Sequence, residues 1–71
     1  MPMSLRQLRI FVAVAKTGST MGAASEIALS QSAVSAALSE LEGLLHTRLF
    51  DRVGKRLILN DNGRALLAEA T

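Results

Sequence analysis

Four helix-capping residues stand ahead of apolar residues at helical spacing, and no proline follows any of them; the only Pro is Pro2. This pattern constrains the chain more than any other feature, because it dictates a succession of helices with no internal break. Ser4-Leu5-Arg6-Gln7 reads as a capping box, the Ser hydroxyl accepting an N–H of the first turn and Gln7 reaching back. Leu5, Leu8, Phe11, Val12 and Ala15 follow as an apolar stripe. Gly18, free to take positive φ, is expected to stop this helix. Ser19 caps a second, short helix, with Ala23, Ala24, Ile27 and Ala28 on its apolar side. Its alanines allow another helix to pack close. Ser30 caps a third helix, whose core stripe is Val34, Ala37, Leu38, Leu41, Leu44 and Leu45. The opposite side shows Gln31, Ser32, Ser35, Ala36 and Ser39, all small or polar. His46 is expected to end this helix in the left-handed region, which His tolerates better than most residues.

The pattern then changes. Leu49-Phe50 and Leu57-Ile58-Leu59 flank the polar, Gly-containing run of residues 51–56, which predicts a small hairpin. Asn60 caps a last helix with Ala65, Leu66 and Ala70 at helical spacing. No stop signal precedes Thr71, so this helix is expected to continue in a longer parent protein.

Composition narrows the class. With 71 residues the chain makes one domain. Its 49% hydrophobic content is too high for a disordered chain. The absence of Cys excludes disulfides, thiolate zinc sites and a Cys nucleophile, and a single His excludes His-rich metal sites. No metal and no cofactor are therefore expected. No Asp/Glu–His–Ser framework has a recognisable spacing, and Gly54-Lys55-Arg56 lacks the glycine loop and Ser/Thr of a P-loop, so the chain is not expected to be an enzyme. Uncharged runs are too short to span a bilayer. Arg6 and Arg9 occupy the place where a signal peptide would begin its apolar region, which predicts a soluble cytoplasmic protein.

The net charge of +2 decides little until it is sorted along the chain. Residues 1–16 carry +3, residues 17–47 carry −3, residues 48–56 carry +3 and residues 57–71 carry −1. The hairpin is the basic spot, and the third helix has no cation of its own. A short helix, a tight turn and a longer helix with a small polar outer face describe a helix-turn-helix. In that motif the second helix enters the DNA major groove, N-terminal residues first. Ser30, Gln31 and Ser32 stand at a helix N-terminus, where free N–H groups and the dipole attract phosphate. Gln31 can pair bidentately with adenine, Ser35 can bond several base edges, and Ala36 can touch a thymine methyl. Arg52, Lys55 and Arg56 of the hairpin suit phosphates or the minor groove.

These residues also resemble a family. Ser19, Ala23-Ala24, Ser30 to Ser35, Leu41-Glu42, Arg48 to Arg52, Leu59 and Gly63-Arg64 stand in the order found in the N-terminal domain of LysR-type transcriptional regulators. Leu5 to Leu8 and Phe11 fit as well, so the resemblance covers essentially the whole chain. It implies a mainly α winged helix-turn-helix over residues 1–59: three helices and a small two-stranded wing. Residues 60–71 would begin a linker helix that pairs with a second copy through Ala65, Leu66 and Ala70. In the parent, the resemblance implies a homodimer or higher oligomer and a C-terminal domain that senses a small-molecule inducer. It places Ser19 and Thr20 near phosphate, Gln31, Ser32, Ser35 and Ala36 at the bases, and Arg52 as the wing arginine. The chain departs from the family at Ala36 and Gly22, which are often basic, and at His46, which is often Gly. The first two departures remove expected DNA contacts and shift affinity to the wing and the partner subunit.

A rival reading makes the chain a helical protein–protein interaction module that packs the small polar face of the third helix on a partner. The basic hairpin discriminates, since such a groove has no need of Arg52, Lys55 and Arg56 together.

Overall fold

A computed structural model describes residues 4–70, the last by its backbone alone. Among these the order is α1 (Leu5–Thr17), α2 (Thr20–Ile27), α3 (Gln31–Leu45), β1 (Phe50–Val53), β2 (Arg56–Leu59) and α4 (Asp61–Ala70). The expected winged helix-turn-helix is the observed fold.

The caps form as the residues dictate. Ser4 and Gln7 make the reciprocal box, each side chain bonding the other's backbone N–H at 3.1 and 2.9 Å. Ser19 accepts from Gly22 N–H at 2.8 Å, Ser30 from Ala33 N–H at 3.1 Å and Asn60 from Gly63 N–H at 2.8 Å. Each bond satisfies a donor that a helix start leaves free. Gly18 ends α1 at φ 77°. His46 ends α3 at φ 53°, its N–H and that of Thr47 folding back onto the Glu42 carbonyl.

Three parts of the apolar pattern fall differently from expectation. On α1 the core takes Gln7, Ile10, Phe11, Ala13 and Val14, while Leu5 is 71% exposed. The reason is that residues 10–15 are apolar all round, so spacing alone cannot choose the face. Ala28 is not on the apolar side of α2. It is exposed and forms the C-cap at φ 58°, and the N–H groups of Ala28 and Leu29 both close on the Ala24 carbonyl. This reversal turns the chain into α3 within three residues. Leu44 lies at the edge of the α3 stripe and is 42% exposed.

The wing is antiparallel, pairing Phe50 with Leu59 and Val53 with Arg56. Gly54 and Lys55 form the turn, and Gly54 takes φ 63° at the first position, as hairpin turns matched to the strand twist require. The strands therefore reach further than expected, so that Arg52 and Arg56 lie on them. The core gathers α1, α2 and α3 around Phe11, Val14, Ala23, Val34 and Leu41. Phe50 carries it into the wing, its ring 5.6 Å from that of Phe11 in a tilted arrangement. Leu66 closes it from α4 and is only 8% exposed. Its side chain packs into the core of this domain. Ala65, expected with it at a subunit contact, is exposed, and the Ala70 side chain lies outside the described residues.

Candidate nucleic-acid interface

The Ala23-Ala24 pair of α2 is buried, so α3 packs close across it, held by Val34, Leu38 and Leu41. With those residues inward, helical geometry turns Gln31, Ser32, Ser35, Ala36 and Ser39 outward, and all five are exposed. The expected reading face is thus a continuous neutral surface of short side chains along the first half of α3. A bulky or acidic surface here would hold the helix out of a groove.

The two acids that follow on α3 have other tasks. Glu40 accepts a 2.6 Å hydrogen bond from the Gln7 amide, and Gln7 is itself buried beneath it. Glu42 accepts the Leu49 backbone N–H at 2.8 Å, fixing the strand that starts the wing. Together they orient α3 against α1 and against β1. The sequence contains no local signal for either bond, because Gln7 and Glu40 are 33 positions apart.

The starts of α2 and α3 lie side by side. The Gln31 amide donates to the Thr20 hydroxyl at 3.2 Å, joining the first residue of one helix to the first of the other. Ser19 and Ser30, one position earlier in each case, use their hydroxyl oxygens as caps. Each hydroxyl keeps its proton as a donor.

The hairpin cations share a segment but not a face. Arg56 extends over the α1–α2 turn: a Cβ at Gly18 would sit 3.0 Å from its Nη2. The Leu57 N–H donates to the Gly18 carbonyl at 2.9 Å and locks this placement. Arg56 therefore lies against Gly18, the residue that precedes the Ser19 cap of α2. Arg52 pairs across the hairpin with Leu57 and lines a shallow cleft with Leu38, Glu42, Arg48 and Phe50. Lys55 stands at the tip. Among the described residues, the ion pairs are Lys16 with Glu26 and Arg64 with Asp61, which leaves all three hairpin cations without an acid partner.

At Gly22 a Cβ would lie 2.9 Å from Ser19 Oγ and 3.0 Å from Thr17 Cβ, so a side chain there requires these neighbours to shift. Among the described residues no group of three or more His, Asp or Glu could hold a metal ion, and no helix is long and apolar enough to cross a membrane.

Comparison with known proteins agrees with this architecture. Residues 5–64 match the family model described as bacterial regulatory helix-turn-helix protein, lysR family. The chain is 59% identical over 70 residues to the uncharacterized HTH-type transcriptional regulator YeiE of Escherichia coli (strain K12), covering 99% of this chain and 24% of that protein. It is 48% identical over 64 residues to the RuBisCO operon transcriptional regulator of Allochromatium vinosum, covering 90% of this chain and 21% of that one. It thus spans about a quarter or less of the length of these relatives. Among solved structures it is similar to the DNA-binding domain of CbnR in complex with DNA (TM-score 0.90, 34% identity, 96% of this chain and 78% of that). The DNA-binding domain of BenM with benA site 1 DNA is similar too (TM-score 0.91, 31% identity, 96% and 79%). These matches are to transcriptional regulators rather than to an enzyme family. The chain belongs to the lysR family of bacterial regulatory helix-turn-helix proteins.

Proposed function

We propose that this chain is the sequence-reading unit of a transcriptional regulator. It binds double-stranded DNA with residues 30–39 in a major groove and the wing against the flanking backbone or minor groove. Gln31, Ser32, Ser35 and Ala36 meet base edges. Ser19, Thr20 and Ser30 approach phosphate with Arg52, Lys55 and Arg56. The observation that carries the proposal is the outward face of α3, neutral and short-chained, with unpaired wing cations beyond it. The domain division follows: residues 1–59 read DNA, and residues 60–71 begin the helix that joins a second copy. Ala65 supports that contact by its exposure, and Ala70 by its spacing. A homodimer so built would read a two-fold related site. In the longer protein a sensing domain for a small molecule would follow, and its place of action would be the cytoplasm.

A protein–protein role for the same face leaves Arg52, Lys55 and Arg56 without a purpose, and similar domains are solved on DNA. The deciding experiment replaces Gln31 with Ala and compares the base preferences of the two proteins across a randomised duplex library. Specificity relaxes at one position, with an affinity loss of about 1–3 kcal/mol for the selected site. An unchanged preference at every position would refute the assignment of α3 as the reader.

A further inference from the structure

The Thr20–Gln31 hydrogen bond carries a consequence for specificity. Both residues stand on the proposed DNA face, and both were expected to touch DNA independently. In the structure they touch each other, Nε2 of Gln31 donating to Oγ1 of Thr20 at 3.2 Å. Among the described residues the Gln31 amide has no other bond and the Thr20 hydroxyl proton has no acceptor. We infer that Thr20 is a specificity-determining positioning residue, which orients the Gln31 amide for one base instead of serving only as a phosphate contact. This inference rests on the proposed role of Gln31 as a base reader.

The chemistry is as follows. A glutamine amide has one acceptor oxygen and one nitrogen with two protons. Free in solvent, it turns about its last bond and presents either end. With one Nε2 proton committed to Thr20, the amide presents one remaining N–H and an unoccupied oxygen. That pair complements adenine, whose N7 accepts and whose N6 donates in the major groove. It conflicts with guanine, whose N7 and O6 both accept, because the amide oxygen would face O6. A threonine hydroxyl can also donate, which by itself would tolerate the reversed amide. Once its proton goes to a phosphate, however, Oγ1 can only accept, and only Nε2 can face it. Phosphate contact and base reading are then linked through one hydroxyl: Gln31 donates to Thr20, and Thr20 donates to the backbone of the DNA.

The preorganised amide also loses less freedom on binding. Valine has the shape of threonine without its polar atom, so Thr20→Val releases the amide while keeping the packing. Serine keeps the hydroxyl.

The test selects bound sites from a random duplex library with the wild-type chain, Thr20→Val, Thr20→Ala, Thr20→Ser, Gln31→Ala and Thr20→Val/Gln31→Ala. Each is first checked for an unchanged thermal unfolding midpoint, and two hydroxyl-free variants are included so that one can serve if the other is unstable. The wild type should discriminate at the Gln31 position by about five- to a hundredfold. Thr20→Val and Thr20→Ala should reduce that ratio by about two- to tenfold at that position and at no other. Thr20→Ser should restore it, and Thr20→Val should have no further effect on preference in the Gln31→Ala background. If Gln31→Ala relaxes one position but the hydroxyl-free variants leave that position unchanged, the coupling is wrong while Gln31 remains a reader. If they weaken all sequences equally without changing the ratio, Thr20 is a phosphate contact alone and the inference fails. If Gln31→Ala itself changes nothing, the underlying reading fails.

Discussion

Leu57 donates its backbone N–H to the Gly18 carbonyl at 2.9 Å, so the wing is tied by main chain to the turn that opens the α2–α3 pair. Gly18 offers that carbonyl from the left-handed region, at φ 77°, with the Arg56 guanidinium above it. Gly18→Ala meets both obstacles at once. It should cost about 1–2 kcal/mol, the usual penalty for an L-residue in that region. The check is the urea midpoint, which should fall with an unchanged slope; an equal midpoint contradicts the prediction.

Gly63 is a second point where backbone approaches backbone. A Cβ at this position would sit 2.1 Å from the Leu49 carbonyl oxygen, and a main-chain atom yields less readily than a side chain. Gly63→Ala should therefore destabilise the domain by about 1–3 kcal/mol or more, as overpacking does. Amide exchange in α4 should accelerate with it. Wild-type protection in residues 61–69 would show that the contact has no such weight.

His46 points the other way. It holds a left-handed φ of 53° without the freedom of glycine. Relief of about 1–2 kcal/mol of strain exceeds the roughly 0.5–1 kcal/mol of chain entropy that glycine adds. His46→Gly should thus gain up to about 1 kcal/mol and raise the melting temperature by a few degrees. A lower melting temperature would show that the His46 side chain contributes more than its backbone strain costs.

Arg52 tests the wing. Among the described residues it has no acid partner, and its cleft opens between α3 and β1. Arg52→Ala should weaken binding to all sequences alike and lower the slope of log affinity against log salt by about one. Titration at several salt concentrations reads this directly. An unchanged slope means that Arg52 does not touch phosphate.

What could be read from the sequence was local. Ser4, Ser19, Ser30 and Asn60 each cap through a bond three positions along the chain, so the pattern and the bond coincide. The outer face of α3 was legible for the same reason, because a helix fixes which residues share a side. The inward turn of α1 was not, since Ile10 to Ala15 is apolar in every direction. Nor was the burial of Leu66, which depends on where α4 meets the rest of the core. The Gln7–Glu40, Leu49–Glu42 and Leu57–Gly18 bonds join parts of the chain that only the complete fold brings together. The same holds for Thr20 and Gln31, which spacing presents as two independent polar residues.

The central claim is that α3 reads bases while the wing holds the backbone. Selection of bound sites from random duplex DNA, repeated at low and high salt, tests it most directly. The account predicts enrichment of a two-fold related sequence at both concentrations, with affinity falling steeply as salt rises and base preferences unchanged. Salt-sensitive binding with no enriched position would contradict it, because the domain would then hold the backbone without reading the bases.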